Sequence, residues 1–427
     1  MAIKIGLVGT GTVGSGCVNI LNKHSEMFKK TYGVDLQLVK VCSREPEQAR
    51  ALGLEDIFTE NYMDLVTDDS IDIIIELIGG TTHAYELVKA ALKAGKNIVT
   101  ANKALLATYG SEISALANEV DKEVLFEASV GGGIAVLEPL QNSLRANDIH
   151  TVMGIVNGTT NYMLTRMANE GLTYDEVLSV AQDLGFAEAD PTADVDGHDA
   201  AAKIAILATL AFNKRVGIKD VYTEGIRNIS PLDQQIAADM GYVIKLVAQA
   251  HKTDAGIDVR VHPTMLPLNH QLSKVDGVFN AIFMIGDFVG ETMFFGEGAG
   301  SGPAASAVMG DVIQMARRIT AGGQIIPPAK VSEDATIRSI EELEMKYYIR
   351  FAVSDKPGVL AEMASVFAKH GVSVHSVIQR GQKTNDSVAL NYLTHGTTEK
   401  AVRSVLEEIL NLEGVVKADP ILIRVGD

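Results

Sequence analysis

The chain opens on an apolar run, Ile3 to Val8, which breaks into Gly9-Thr10-Gly11-Thr12-Val13-Gly14 and continues into the helical pattern VNILNKH. Strand, glycine turn and helix in that order constrain the fold more than any other stretch. In G-x-G-x-x-G the first glycine makes a tight turn, the second lets main chain approach a pyrophosphate, and the third lets the helix pack on the strand. The helix N-terminus then faces the anion. Glycine-rich turns without a ligand are common, and it is the strand-to-helix junction that favours a dinucleotide site over Gly9, Thr10, Gly11, Thr12, Val13 and Gly14.

The next segments are consistent with that beginning. Leu36 to Val41 reads as a second strand, after which an NAD enzyme often carries an acid for the adenosine ribose; this chain has Cys42-Ser43-Arg44. Arg44 could pair with a 2′-phosphate, which favours NADPH over NADH, the bland alternative being a surface arginine. Apolar strands at Ile71 to Ile78, Asn97 to Thr100 and Glu123 to Ala128 alternate with the helical segments HAYELVKAALKAG and EISALANEVDK. The alternation predicts a doubly wound parallel sheet whose ligands gather at the carboxyl ends of its strands. Lys103, in Thr100-Ala101-Asn102-Lys103, lies just past one such end, where a lysine is ordinarily solvated. In EASVGGGI, Glu127 to Ile134, one carboxylate precedes a glycine run that exposes carbonyls, a set suited to a hard cation rather than zinc, or else a hinge between domains.

At 427 residues the chain holds about two to four domains, with 47% hydrophobic residues to fill their cores. No apolar run approaches the roughly 20 residues of a membrane span, and MAIKIGLVGTGTVG lacks a signal-peptide pattern, so the expected location is cytoplasmic. Cys17 and Cys42 sit in core-like contexts and support neither a disulfide nor a cysteine metal site. A net charge of −17, with no stretch concentrating Lys and Arg, speaks against nucleic acid and anionic membranes as partners.

The stretch from Gly185 to Lys203, GFAEADPTADVDGHDAAAK, sets five carboxylates ahead of one lysine and runs into the Ala- and Leu-rich HDAAAKIAILATLAF. A helix is predicted from near Asp196 as N-cap, with Asp199 and Lys203 on one face one turn apart. Glu188, Asp190, Asp194 and Asp196 lie in the loop before it. A calcium loop would place Glu where Lys203 stands, which argues against calcium. The competing bland reading is a solvated helix start with a surface ion pair worth at most about 1 kcal/mol.

From Ile134 the character changes. Strand-like TVMGIVNG and short strands around Val221 to Ile229, Leu246 to Ala250, Ile257 to Val261 and Ala281 to Ile285 suggest an open sheet with helices on one side, suited to covering a cofactor and pairing with a second subunit. GEGAGSG then meets Pro303, read as a first helical position, and AASAVMGDVIQMARRI is expected to return to the first domain. Beyond a linker the order is βαββαβ. The domains expected are 1–133 with about 303–325, then 134–302, a linker at 326–345, and 346–427.

As it stands from Gly185 to Lys203, G-F-A-E-x-D-P-x-x-D-V-x-G-x-D-x-x-x-K resembles the signature of homoserine dehydrogenases. VTANKALLA and the N-G-T-x-N-Y-x-L beginning at Asn157 are similar to further segments of that family, and Asp355-Lys356-Pro357-Gly358-Val359-Leu360 resembles the turn of an ACT domain. The resemblance covers essentially the whole chain. It implies a Rossmann-like domain, an α+β catalytic and dimerisation domain and a ferredoxin-like ACT domain. It also implies NAD(P)H-dependent interconversion of L-aspartate 4-semialdehyde and L-homoserine, in threonine, methionine and isoleucine biosynthesis. Carried over residue by residue, Lys203 donates the proton, Asp199 orients it, Glu188, Asp194 and Asp199 hold the substrate, and Lys103 contacts cofactor and substrate and polarises the carbonyl, its role and that of Lys203 being open to exchange. Thr100, Gly185 and Gly302 join the cofactor contacts. A monovalent cation, Na+, falls to Glu127 and the main chain at Val130, Gly132 and Ile134. A homodimer or homotetramer, with L-threonine at the ACT domain, is implied in turn. The rivals are a nucleotide-binding amino-acid sensor without turnover, and a semialdehyde oxidoreductase of the kind that needs a nucleophilic cysteine; Cys17 and Cys42 both lie too early for that role.

Overall fold

The computed structural model describes residues 2–322, 331, 333–379 and 387–426. Residues 323–330 and 332, which include the end of the expected return segment and part of the expected linker, lie outside them. The chain packs as two compact units, one of Met1–Val156, Ala202–Val221 and Phe279–Ala335, the other of Asn157–Ala201, Tyr222–Val278 and Thr336–Asp427. The segment 134–302 is thus shared between both.

In the first unit six parallel strands, β1 (Ala2–Val8), β2 (Asp35–Cys42), β3 (Phe58–Thr59), β4 (Ile73–Glu76), β5 (Asn97–Thr100) and β6 (Val124–Leu125), lie in the order β3-β2-β1-β4-β5-β6. Consecutive residues of the apolar run in β4 face opposite sides, since side chains alternate across a strand. Ile73 and Ile75 join one core with Ile3, Ile5, Leu7 and Val99, while Ile74 joins the other with Ile98, Leu87 and Val88. Both faces are therefore covered, as a parallel sheet requires. Helix Ser301–Thr320 supplies Ala305, Val308, Met309, Val312, Met315 and Ala316 to the first of these cores, a spacing that puts them on one face. It begins two residues before Pro303, so that proline is its third residue rather than its first. Of the strand expected at Glu123 to Ala128 only Val124–Leu125 pairs; the chain then turns through the short helix Glu127–Ser129. An antiparallel ribbon of Ile149–Ile155, Phe279–Gly286 and Gly290–Glu297 completes this unit.

The second unit is built on the hairpin Tyr242–Thr253 and Gly256–Pro267, two twelve-residue strands where the sequence suggested short ones. Lys245 and His262, polar residues just outside the expected runs Leu246 to Ala250 and Ile257 to Val261, are buried, as are Gln249, Asp258 and Arg260 within them. They have partners: Lys245 Nζ donates to the Val275 carbonyl at 2.7 Å and to Asp276 Oδ1 at 2.8 Å, and Gln249 Nε2 lies 3.2 Å from His262 Nε2. The C-terminal part has strands Glu344–Ser354, Val374–Gln379, Ser387–Thr394 and Val416–Val425 and helices Val359–Lys369 and Glu399–Leu410, which is the expected βαββαβ order with the last strand beside the first. Its final strand also pairs in parallel with the hairpin, Thr264 opposite Arg424. The segment before it is tied down as well, Arg215 N donating to the Glu333 carbonyl in the first unit and Ile257 N to that of Thr336 in the second. No helix among the described residues is long and apolar enough to cross a membrane.

Candidate active site

The strand order reverses between β1 and β4, and doubly wound sheets bind ligands at the carboxyl ends beside such a switch point. Gly9 follows β1 with φ +106°, and a Cβ there would lie 2.6 Å from the Leu77 carbonyl oxygen. A Cβ on Gly14 would lie 2.1 Å from the Gly9 oxygen, whereas at Gly11 it would meet no protein atom within 4 Å. The first and third glycines are thus demanded by the fold, and the second leaves space that a phosphate can occupy. Helix Thr12–Met27 starts there with no side-chain cap, which leaves its first N–H groups to a ligand. Ser15 Oγ donates to the Thr10 carbonyl at 2.7 Å, and Ser301 Oγ to that of Thr12 at 2.6 Å. Val13 packs against the β1 core. Thr10 Oγ1 donates to the buried Ser43 hydroxyl at 2.8 Å, and Arg44, next in the chain, is exposed. Gly302 lies in the first turn of its helix; a Cβ there would have no protein atom within 4 Å, so packing does not require the glycine. These features fit a dinucleotide.

On the neighbouring strands, Glu76 ends β4 and Thr100 ends β5, paired in register. Thr100 Oγ1 donates to Glu76 Oε2 at 2.6 Å, Asn102 N donates to Thr100 Oγ1 at 3.0 Å, and Asn102 Nδ2 to the Gly80 carbonyl at 2.7 Å. Asn102 also caps helix Lys103–Glu119, accepting from Leu105 N, which sets half-buried Lys103 on the helix's first turn. Glu76 went unnoticed in the sequence, though one acid closing the run DIII is a readable signal. Burial pushes its carboxyl above the usual range, against the hydrogen bonds from Thr100 and from Ile78 N.

The acidic stretch divides. Helix His198–Phe212 begins one residue after Gly197, whose carbonyl accepts from Ala201 N, so Asp196 is not its cap. Asp196 instead pairs with Arg227, Nε to Oδ1 at 2.5 Å. Asp190 accepts from Thr192, whose hydrogen bonds hold its carboxyl below the usual range. Gly185, φ +74°, terminates helix Tyr174–Asp183, its N–H donating to the Gln182 carbonyl, so its glycine has a backbone reason of its own. Glu188 is exposed. Asp194 and Asp199 come together around Asn157, whose Nδ2 donates to Asp194 Oδ1 at 2.7 Å and to Asp199 Oδ2 at 2.9 Å. Lys203, only 8% exposed, donates from Nζ to the Val156 carbonyl at 2.6 Å. Within the first unit Val156 thus holds the lysine, and within the second Asn157 holds both aspartates.

Glu127 is buried, and its carboxylate accepts from three main-chain N–H groups, Val136 at 2.5 Å and Leu137 and Glu138 at 2.7 Å each. Burial nevertheless raises its carboxyl above the usual range, which a cation would offset. Val130 and Ile134 are buried on either side of Gly131 and Gly132, which have φ of +76° and +56°. Among the described residues no group of three or more His, Cys, Asp or Glu side chains could hold a metal, so a cation at Glu127 would rest mainly on main-chain oxygens. Asp311, missed in the sequence, accepts from Glu127 N at 2.8 Å. The two thiols are no nucleophiles: burial pushes Cys17 up to about 12 and, with Asp64 and Glu60 nearby, Cys42 up to about 11.

Comparison with known proteins agrees along the chain. Residues 9–127 match the family model of the homoserine dehydrogenase NAD-binding domain, residues 136–313 that of homoserine dehydrogenase, and residues 347–414 that of the ACT domain. A homoserine dehydrogenase of Synechocystis is 44% identical over 435 residues, covering 100% of both chains. The crystal structure of a homoserine dehydrogenase from Thiobacillus denitrificans superposes with a TM-score of 0.94 at 39% identity, covering 100% of this chain and 99% of that one. A hyperthermophilic archaeal homoserine dehydrogenase solved in complex with NADPH gives 0.64 at 27% identity over 77% of this chain and 100% of its own. With a nucleotide-binding sheet, an acid-and-lysine site and an ACT tail in one order, this chain belongs to the homoserine dehydrogenase family of oxidoreductases.

Proposed function

We propose that this enzyme reduces L-aspartate 4-semialdehyde to L-homoserine reversibly with NADPH in preference to NADH, and that Lys203 is its proton donor. The observation that carries the second part is the buried Lys203 ammonium held on the Val156 carbonyl, with Asp199 one helical turn before it on the same helix. The bound nicotinamide supplies or accepts the hydride. As charge builds on the aldehyde oxygen, Lys203 gives it a proton, a step typically worth about 10²–10⁴-fold. Asp199 orients that ammonium, Asp194 and Glu188 hold the substrate's hydroxyl and amino group, and Lys103 polarises the carbonyl. Thr100, Gly185 and Gly302 line the cofactor with the Gly9 to Gly14 turn, and Arg44 takes the 2′-phosphate. Na+ sits on Glu127 and the main chain at Val130, Gly132 and Ile134. The enzyme works in the cytoplasm as a homodimer or homotetramer, in which the exposed Met293 and Phe295 of strand Gly290–Glu297 favour pairing, and L-threonine binds the ACT domain.

The test is Lys203→Ala, with turnover and NADPH affinity measured separately. Turnover falls by two or more orders of magnitude while NADPH binding stays near wild type. Wild-type turnover in the alanine variant, or an equal loss of NADPH binding, would reassign the residue.

A further inference from the structure

Among the described residues the side chain of Asn157 makes four hydrogen bonds that together determine its orientation. It caps helix Gly158–Glu170, its Oδ1 accepting from Thr160 N and from Thr160 Oγ1, both at 2.9 Å. Because a main-chain N–H can only donate, the atom facing it must be the amide oxygen, and the NH2 group is thereby aimed the other way. There it meets Asp194 Oδ1 at 2.7 Å and Asp199 Oδ2 at 2.9 Å, one hydrogen for each. The residue is 5% exposed. The charged groups that its amide meets are those two carboxylates, Asp196 being turned away to Arg227.

We propose that Asn157 is a positioning residue of the reaction: its amide clamps the substrate-holding Asp194 to the lysine-orienting Asp199 and sets their separation, with its own direction set by the helix cap. This rests on the roles proposed for Asp194, Asp199 and Lys203. A neutral donor with two hydrogens is the group such a place requires. A hydroxyl has one hydrogen and no reach, and a carboxylate would add a third like charge.

Asn157→Asp separates this from a purely structural role. Aspartate caps a helix as well as asparagine does, so the bonds to Thr160 survive. Its second oxygen, however, replaces the donor and faces Asp194 and Asp199 at contact distance, and three carboxylates so placed do not all ionise together. The acid limb of the pH profile for homoserine oxidation is expected to move up by about 1–3 units. With it kcat falls about 10²-fold through misplacement of the reacting groups, KM for homoserine rises, and NADPH affinity is unchanged. Asn157→Ser, which also caps but cannot bridge, is expected to lose turnover without the shift in pH. Wild-type kcat, KM and pH profile in Asn157→Asp would overturn the proposal; should that variant not fold, wild-type turnover in Asn157→Ser overturns it instead. Asp199→Ala and Lys203→Ala are measured alongside. If they retain activity, it is the reading of the site that fails; if they are inactive while the Asn157 variants are normal, only this inference does.

Discussion

Thr100 Oγ1 donates to Glu76 Oε2 at 2.6 Å and its oxygen accepts from Asn102 N at 3.0 Å, so one hydroxyl joins the ends of β4 and β5 to the helix that begins at Lys103. Thr100→Val keeps the shape and removes the hydroxyl. It leaves a buried carboxyl oxygen and an N–H without that partner, a loss of about 1–3 kcal/mol. We expect a lower Tm together with weaker NADPH binding, followed by thermal melts and fluorescence titration. An unchanged Tm would mean that the contact is dispensable.

That relationship also shows what the sequence made legible. The glycine turn could be read position by position because each glycine answers a separate steric demand, and contacts at Gly9 and Gly14 and open space at Gly11 match those demands. The helical spacing of Ala305 to Ala316 likewise announces a buried face. Asn157 stands out only as the start of a family-like segment, with no role, and Glu76 not at all, because nothing local tells a polar residue that clamps others from one that meets solvent. The hairpin strands extend past the runs Leu246 to Ala250 and Ile257 to Val261 for the same reason: Lys245 and His262, at their margins, look like ends until their burial and partners are seen. Asp196 seemed a helix cap because Arg227, 31 residues on, does not show in the local pattern.

Gly16 lies where helices Thr12–Met27 and Ser301–Thr320 touch, and a Cβ there would stand 2.7 Å from both Ala305 Cβ and the Ser301 carbonyl oxygen. Neither neighbour can rotate away. Gly16→Val should therefore cost about 1–3 kcal/mol through overpacking, read as a Tm lowered by several degrees. Because Ser301 also holds the Thr12 carbonyl, NADPH affinity is expected to fall with it. A variant as stable as the parent would mean that the helices separate freely.

Arg424, buried, bridges two carboxylates, Glu399 (Nε to Oε2, 3.1 Å) and Glu224 (Nη1 to Oε2, 2.5 Å), and so ties the last strand to the segment after Tyr222. Burial works to raise the Glu224 carboxyl, but the hydrogen bonds and charge of Arg424 prevail and hold it below the usual range. A lowered carboxylate contributes stability that is present above its unfolded pKa and is lost as pH falls through the folded one. Stability is thus expected to drop on acidification below about pH 4.5, the ordinary glutamate range, and Glu224→Gln should flatten that part of the curve. Arg424→Met, which takes one partner from buried Glu399 and half-buried Glu224 but leaves Arg403 beside both, should cost about 1–3 kcal/mol at neutral pH. Chemical denaturation across pH checks both, and parallel curves for parent and Glu224→Gln would refute the assignment.

The buried Glu127 carboxylate, held by three N–H groups yet raised by burial, should make turnover depend on a small monovalent cation. In a buffer whose only cation is choline, too large for main-chain oxygens to enclose, activity is expected to fall several-fold and to return on adding Na+. Glu127→Gln keeps the shape but not the charge and should blunt that recovery. Equal rates in both buffers would remove the cation from the site.

Coenzyme choice gives the most direct reading of a single side chain. Ser43 is buried and engaged with Thr10, which fixes the main chain at the end of β2 and leaves Arg44 exposed at the position where an acid would otherwise meet the ribose. An arginine there can form charge-assisted bonds to a 2′-phosphate worth about 1.5–3 kcal/mol, and NADH has no such group. Arg44→Ala should therefore raise KM for NADPH by about 10–100-fold, at 1.4 kcal/mol per tenfold, and leave KM for NADH nearly unchanged. The preference for NADPH should also weaken in the parent enzyme as salt is added, since an exposed pair is screened, and become insensitive to salt in the variant. Equal losses with both coenzymes would show that Arg44 supports the fold of the turn rather than reading the phosphate.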